Sequence, residues 1–255
     1  MAGKKTTTKA VANVADDKTL AKAAGAYQQE GKGLVIQFPR ICLAAQDDDE
    51  KDLEAGDFYI EQQSEEVDPK TGKKLFERTK IKDGAEVIIY FKRHQLKYFD
   101  GKDFTNSPIY DLPDEVLPLW CKGTEVHRGT PQELRAEYKY TDPTTKKERT
   151  LLEDNRIIYV IYKDELYQIN LRGSSMFALL KYERGLNPTT VVTKLSSEPM
   201  KKGKNEWNQM TFTNVRKLTT PEAELVLEKQ DELIKKIAEQ KAGFDEAEKP
   251  EGDDF

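Results

Sequence analysis

Glu86-Val-Ile-Ile-Tyr-Phe-Lys-Arg-His-Gln-Leu-Lys-Tyr-Phe99 is the stretch whose reading decides the fold. β-Branched and aromatic residues crowd its first half, and it contains neither Gly nor Pro. Asp83-Gly84 stands before it as a turn. Such a run predicts the strongest strand of the chain. Period-two alternation predicts Val87, Ile89 and Phe91 on one face, with Ile88, Tyr90, Lys92, His94 and Tyr98 on the other.

Working outward, Phe58–Gln63 and Lys74–Ile81 predict a hairpin about the turn chemistry of Asp68-Pro-Lys-Thr-Gly72. Gly33–Ala45 predicts a first strand, with Pro39 at an edge or a bulge. Residues 100–122 form a long connection carrying Pro108, Pro113 and Pro118. Pro131–Arg135 predicts one helical turn, and Glu137–Tyr140 and Arg149–Leu152 flank an Asp142-Pro143 turn. Arg156–Lys163 and Leu166–Leu171 predict a tight hairpin about Asp164-Glu165. Gly173-Ser-Ser175 predicts the cap of a helix, Met176–Tyr182, that stops near Gly185. Strands follow at Thr190–Leu195 and Asn208–Val215, with the basic loop Lys201-Lys-Gly-Lys204 between them. Thr219-Thr-Pro221 opens a last helix with an apolar stripe of Val226, Leu227, Leu233, Ile234 and Ile237, ended by Gly243.

That order predicts a mainly β chain with a few helices, arranged as a Greek-key barrel with insertions, like the oligonucleotide-binding (OB) fold. The expected divisions are a flexible segment 1–30, an OB-like domain 31–217, a helix 218–243 and an acidic disordered tail 244–255. The 255 residues carry 41 basic and 46 acidic side chains. Residues 245–255 alone hold six acids and one lysine, which is the whole net charge of −5. Residues 69–217 hold 28 basic and 20 acidic groups, so the body is basic. A basic body beside an acidic tail predicts a polyanion ligand and a tail able to compete for its surface.

Other classes find little support. No signal peptide or apolar span is evident, so a cytoplasmic protein without a membrane partner is expected. Cys42 and Cys121 are isolated and read as buried free thiols. The acidic run Asp47–Glu54 lacks the spacing and glycine of an EF-hand and reads as a solvated loop. His94 and His127 have no second histidine at a ligand spacing. Neither a phosphate-binding Gly-rich loop nor a Gly-x-Ser-x-Gly nucleophile motif occurs. The expectation is no enzyme activity, no cofactor and no metal.

Aromatic rings interleaved with cations recur on the strands, and single-stranded nucleic acid is bound with such parts: cations track phosphates and rings stack on bases. The residues singled out are Tyr90, Lys92, Arg93 and Tyr98 on the long strand, Tyr159 and Lys163 on the next, and Arg172 after it. Lys201, Lys202, Lys204 and Trp207 on the late loop complete the set. The competing reading has Tyr and Phe filling a barrel while Lys and Arg solvate its outside.

A strand-rich body with Lys-Arg and Tyr-Phe pairs, followed by acids closing on Asp253-Asp254-Phe255, resembles bacteriophage single-stranded DNA-binding proteins, and by its tail bacterial ones. The resemblance is sharp only over the acidic end and architectural over residues 33–215. It implies an OB fold that coats single-stranded DNA during replication and recombination. It also implies that Asp253, Asp254 and Phe255 recruit replication and recombination proteins, and it leaves room for a homo-oligomer. The acidic run 47–54 departs from that pattern. The alternative is a phage structural or adaptor protein with no nucleic-acid affinity.

Overall fold

The computed structural model describes residues 38–45, 52–67, 69, 74–81, 84–122 and 124–247, with side chains through Lys235. In chain order the strands are β1 (Arg40–Leu43), β2 (Phe58–Val67), β3 (Lys74–Ile81), β4 (Ala85–Phe99), β5 (Phe104–Asn106), β6 (Leu117–Cys121) and β7 (Thr124–Gly129). Helix α1 (Pro131–Glu137) precedes β8 (Lys139–Thr141), β9 (Glu148–Thr150), β10 (Glu153–Tyr162) and β11 (Glu165–Leu171). Helix α2 (Gly173–Glu183), β12 (Val191–Lys202), β13 (Asn205–Lys217) and α3 (Thr220–Ala247) complete the chain.

The long β4 is the axis of the sheet. Its first residues pair with β12, its length pairs with β10, and its last residues pair with β5. From one edge the strand order is β3-β2-β1-β11-β10-β4-β5-β6-β7. The sheet is mixed because β1 runs parallel to β11. The expected barrel is not closed: among the described residues no ladder joins β3 to β12 or β13. The two regions do approach. Gly56 has φ +92°, and a Cβ there would lie 2.8 Å from Ser197 Oγ on β12.

One bulge changes what β4 presents. Tyr159 pairs with Phe91 and Val160 with Ile89, so Tyr90 is the extra residue. Alternation is inverted beyond it. Phe91 and Arg93 lie opposite Tyr159 and Ile157, whereas Lys92 and His94 lie opposite Ile158 and Arg156. The expected shared face of Tyr90, Lys92, His94 and Tyr98 is therefore corrected: past the bulge Arg93, Gln95 and Lys97 follow Tyr90.

Both sides of the central strands are packed. Helix α2 covers Val87, Ile89, Ile158, Val160 and Ile169, with Leu179 fully buried among them. Helix α3 covers the opposite face over Ile88, Tyr90, Phe91, Tyr159 and Ile161, with Ala223, Val226 and Leu233 as its inward row. Each large apolar side chain so buried contributes roughly 1.5–3 kcal/mol. A third cluster, Leu96, Tyr110, Leu117, Leu119, Leu134 and Leu152, fixes α1 beneath the far end of β4.

Local chemistry explains where the elements differ from expectation. The β10–β11 turn is centred on Lys163 and Asp164, with φ +51° and +65°, one residue earlier than expected. Two central residues with positive φ make the turn whose twist matches the flanking strands. Ser174 and Ser175 lie inside α2 rather than capping it, and their hydroxyls accept bonds from Trp207 Nε1 at 2.9 Å and Met210 N at 3.0 Å. Thr219 N–H donates to Glu222 at 2.8 Å, so the start of α3 is held as expected. The helix runs through Gly243 to Ala247, and Ile234 is exposed rather than part of the buried row.

Candidate nucleic-acid interface

Because α3 packs over only the first half of β4, the far half of the same face stays open. Its floor follows from the ladders. Arg40 lies beside Gln168, Asn170 beside Ile157, Asn155 beside Gln95, and Glu153 beside Lys97. Three confluent hollows of about 570, 470 and 1010 Å³ meet around Asn170, which lines all of them. Together they form a groove running from the β2–β3 hairpin to β5, with a branch toward the β12–β13 hairpin.

Three cations converge on this groove from three strands. Arg40 comes from β1, Lys97 from β4 and Arg172 from the end of β11. Burial, and then the positive charges of Arg40 and Arg172, push the Lys97 ammonium below its usual range. Among the described residues neither Lys97 nor Arg172 makes an ion pair. Arg40 bonds Glu61, which also accepts a bond from Arg78 at 3.2 Å. Like charges held together without enough acids between them are stabilised by any anion that enters.

Aromatic rings stand at both ends. Phe99 and Phe104 stack with centroids 4.6 Å apart, and are 51% and 60% exposed. Tyr140 lines the same hollow. At the other end Phe76 is half exposed beneath the Arg40 guanidinium, 5.6 Å from the ring centre. Rings left in water at the two ends of a cationic groove are stacking surfaces.

Of the sequence-predicted residues, Tyr98 and Arg172 line the groove, and Lys202 and Trp207 line its branch. Lys201 pairs with Glu206 on the hairpin, and Lys204 is exposed at its tip. Five expectations are corrected by burial, pairing or position. Tyr90 and Tyr159 are enclosed under α3, unable to reach a base. Arg93 is fully buried on Asp111, and Lys92 bonds Glu183 of α2 at 3.1 Å. Lys163 belongs to the β10–β11 turn, over the Tyr162 ring. Asp253, Asp254 and Phe255 lie outside the described residues.

Sequence reasoning missed Arg40, Lys97, Phe76, Phe99, Phe104 and Tyr140. Lys97 and Phe99 stand in the stretch that decided the fold, but the unseen bulge assigned Lys97 to the wrong face. Arg40 opens β1 directly after Pro39, but β1 lies between β2 and β11 and is not the sheet edge that Pro39 suggested.

A second hollow, of about 810 Å³, holds His94 with Nδ1 3.3 Å from Asp154, which also pairs with Arg135 at 3.2 Å. The His94 ring stacks on Tyr110, so this group ties β4, β10 and α1 together. Burial foremost, with Glu61 adding, pushes the Cys42 thiol up to about 11, far from a reactive thiolate. Among the described residues no group of three or more His, Cys, Asp or Glu is placed to hold a metal, and no helix is long and apolar enough to cross a membrane. Comparisons with family models, curated proteins and solved structures returned no match.

Proposed function

We propose that the chain binds single-stranded DNA along the groove between Phe76 and Phe99–Phe104. The observation that carries this reading is the convergence of Arg40, Lys97 and Arg172 on one groove, where burial foremost and then the two arginines disfavour the Lys97 ammonium. A phosphodiester placed there relieves that repulsion, while the terminal rings take bases by stacking. The β12–β13 hairpin, with Lys202 and Trp207, extends the path. An open mixed sheet suits this role, because a strand can lie across its uncovered face. The chain then acts as a non-enzymatic protector of single strands in phage replication and recombination. Asp253, Asp254 and Phe255 are the proposed contact for partner proteins.

The test is fluorescence anisotropy of a labelled mixed-sequence single strand, with duplex of the same sequence as competitor. Salt-sensitive binding that duplex fails to compete supports the reading. Absence of binding at low salt sinks it and leaves the adaptor role.

A further inference from the structure

The floor of the groove also carries uncharged polar groups between its charges. Four carboxamides lie there on three adjacent strands: Gln95 on β4, Asn155 on β10, and Gln168 and Asn170 on β11. Asn155 is only 7% exposed, yet among the described residues its carboxamide has no hydrogen-bond partner. It lines the hollow beside Lys97 and Arg172. Its polar atoms are not among the enclosed ones that lack a partner, so the carboxamide of this otherwise buried residue opens onto the groove, where a ligand can supply its bonds.

The neighbouring amides are already committed in one direction. Gln168 Nε2 donates to Asn170 Oδ1 at 2.7 Å, which leaves Gln168 Oε1 as an acceptor and Asn170 Nδ2 as a donor. Gln95 Nε2 donates to the Ser107 carbonyl at 2.9 Å, which leaves its Oε1 as an acceptor. Asn155 keeps both its donor and its acceptor. The floor therefore offers donors and acceptors side by side. Phosphates need donors only, so a floor with free acceptors suits something else.

We propose that this floor hydrogen-bonds the edge of an unpaired nucleobase, with adenine the best match, so that the groove selects bases instead of coating every strand equally. The inference rests on the groove being a single-strand site. A side-chain amide sets one N–H and one C=O next to each other, the complement of the adjacent amino group and ring nitrogen of adenine. In the resulting arrangement a base points into the sheet at Asn155 and Asn170. Its phosphate lies toward Lys97 and Arg172, and flanking bases stack on Phe99, Phe104 and Phe76.

The test measures affinities at one salt concentration for oligo-dA, oligo-dC, oligo-dT and an abasic strand with the same number of phosphates. The full chain is compared with Asn155→Leu and with Asn170→Ala, the latter at an exposed site where folding is not at stake. Oligo-dA should bind the full chain roughly 5- to 100-fold more tightly than the other strands. Both substitutions should shrink that advantage by more than they change the abasic affinity. Stacking on phenylalanine also favours purines, but a stacking advantage survives both substitutions. A dA advantage that survives them, equal affinity for all strands, or preference for another base overturns the proposal. Failure of every strand to bind overturns instead the single-strand reading beneath it.

Discussion

Arg93 holds Asp111 by two hydrogen bonds, Nε to Oδ1 at 2.7 Å and Nη2 to Oδ2 at 3.1 Å, and the arginine is fully buried. The pair fastens the proline-rich connection before β6 to the middle of β4. Removing one partner strands a buried charge, which costs roughly 3–5 kcal/mol. Arg93→Ala and Asp111→Ala are each expected to lose that much by urea denaturation, while the double substitution Arg93→Met with Asp111→Leu should lose far less. A nucleic-acid role for Arg93 predicts the reverse pattern: little loss of stability and a large loss of binding.

The start of α3 should be sensitive to acid. Glu222 accepts a bidentate pair from Arg216, both bonds at 2.7 Å, as well as the Thr219 N–H. Arg216 foremost, with Thr219 assisting against partial desolvation, holds its carboxyl down at about 2. A carboxyl lowered on folding contributes stability above its unfolded pKa near 4.5, and that contribution is lost as pH falls toward about 2. Glu222→Gln should lower stability by about 1 kcal/mol at neutral pH, the group being partly solvated. Thermal melts of the two forms should converge as pH falls from 5 to 2. A constant gap would show that the loss is packing, not charge.

The Lys163-Asp164 turn holds two non-glycine residues at positive φ. Asn-Gly is the pair that such two-residue turns prefer. Lys163→Asn with Asp164→Gly is therefore expected to stabilise the chain by about 1 kcal/mol, read by chemical denaturation. Single-strand affinity should not change, since Lys163 stands apart from the groove. A loss of affinity would return Lys163 to the binding surface.

What could be read from the sequence follows from where the signals are local. The β4 run, the β10–β11 hairpin and the Thr219–Glu222 helix start were legible because composition and turn chemistry act within a few residues. The bulge at Tyr90 was not. It is defined by which residue of β10 lies opposite, and no local feature separates Ile88-Ile89-Tyr90-Phe91 from a regular strand. A one-residue slip moves every later side chain to the other face. That is why Lys92, His94 and Tyr98 read as sharing the Tyr90 face while Lys97 was passed over. Helix α3 was legible as a helix, but nothing in its stripe told which half of β4 it would cover. Arg172 and Tyr98 survive as candidates because they sit near strand ends, beyond the reach of α3.

Lys97 sets stability against function at a single position. Its ammonium is disfavoured in the folded state by burial and by Arg40 and Arg172. A lysine whose pKa falls on folding weakens the fold below that folded pKa, and the penalty fades as pH rises through it toward the unfolded value of 10.5. Lys97→Met is therefore expected to melt slightly higher than the parent at pH 7, with the difference narrowing toward pH 10. The same substitution should weaken single-strand binding and reduce the magnitude of the salt slope by about 0.7, the share of one phosphate contact. Arg172→Gln should match it in binding. Phe104→Ala should cost about 1–3 kcal/mol of affinity with the salt slope unchanged, because stacking releases no counterions. Titrations at several salt concentrations separate the two kinds of loss. If Lys97→Met gains stability and keeps full affinity, the three cations are a structural accident and the groove is not where the strand lies.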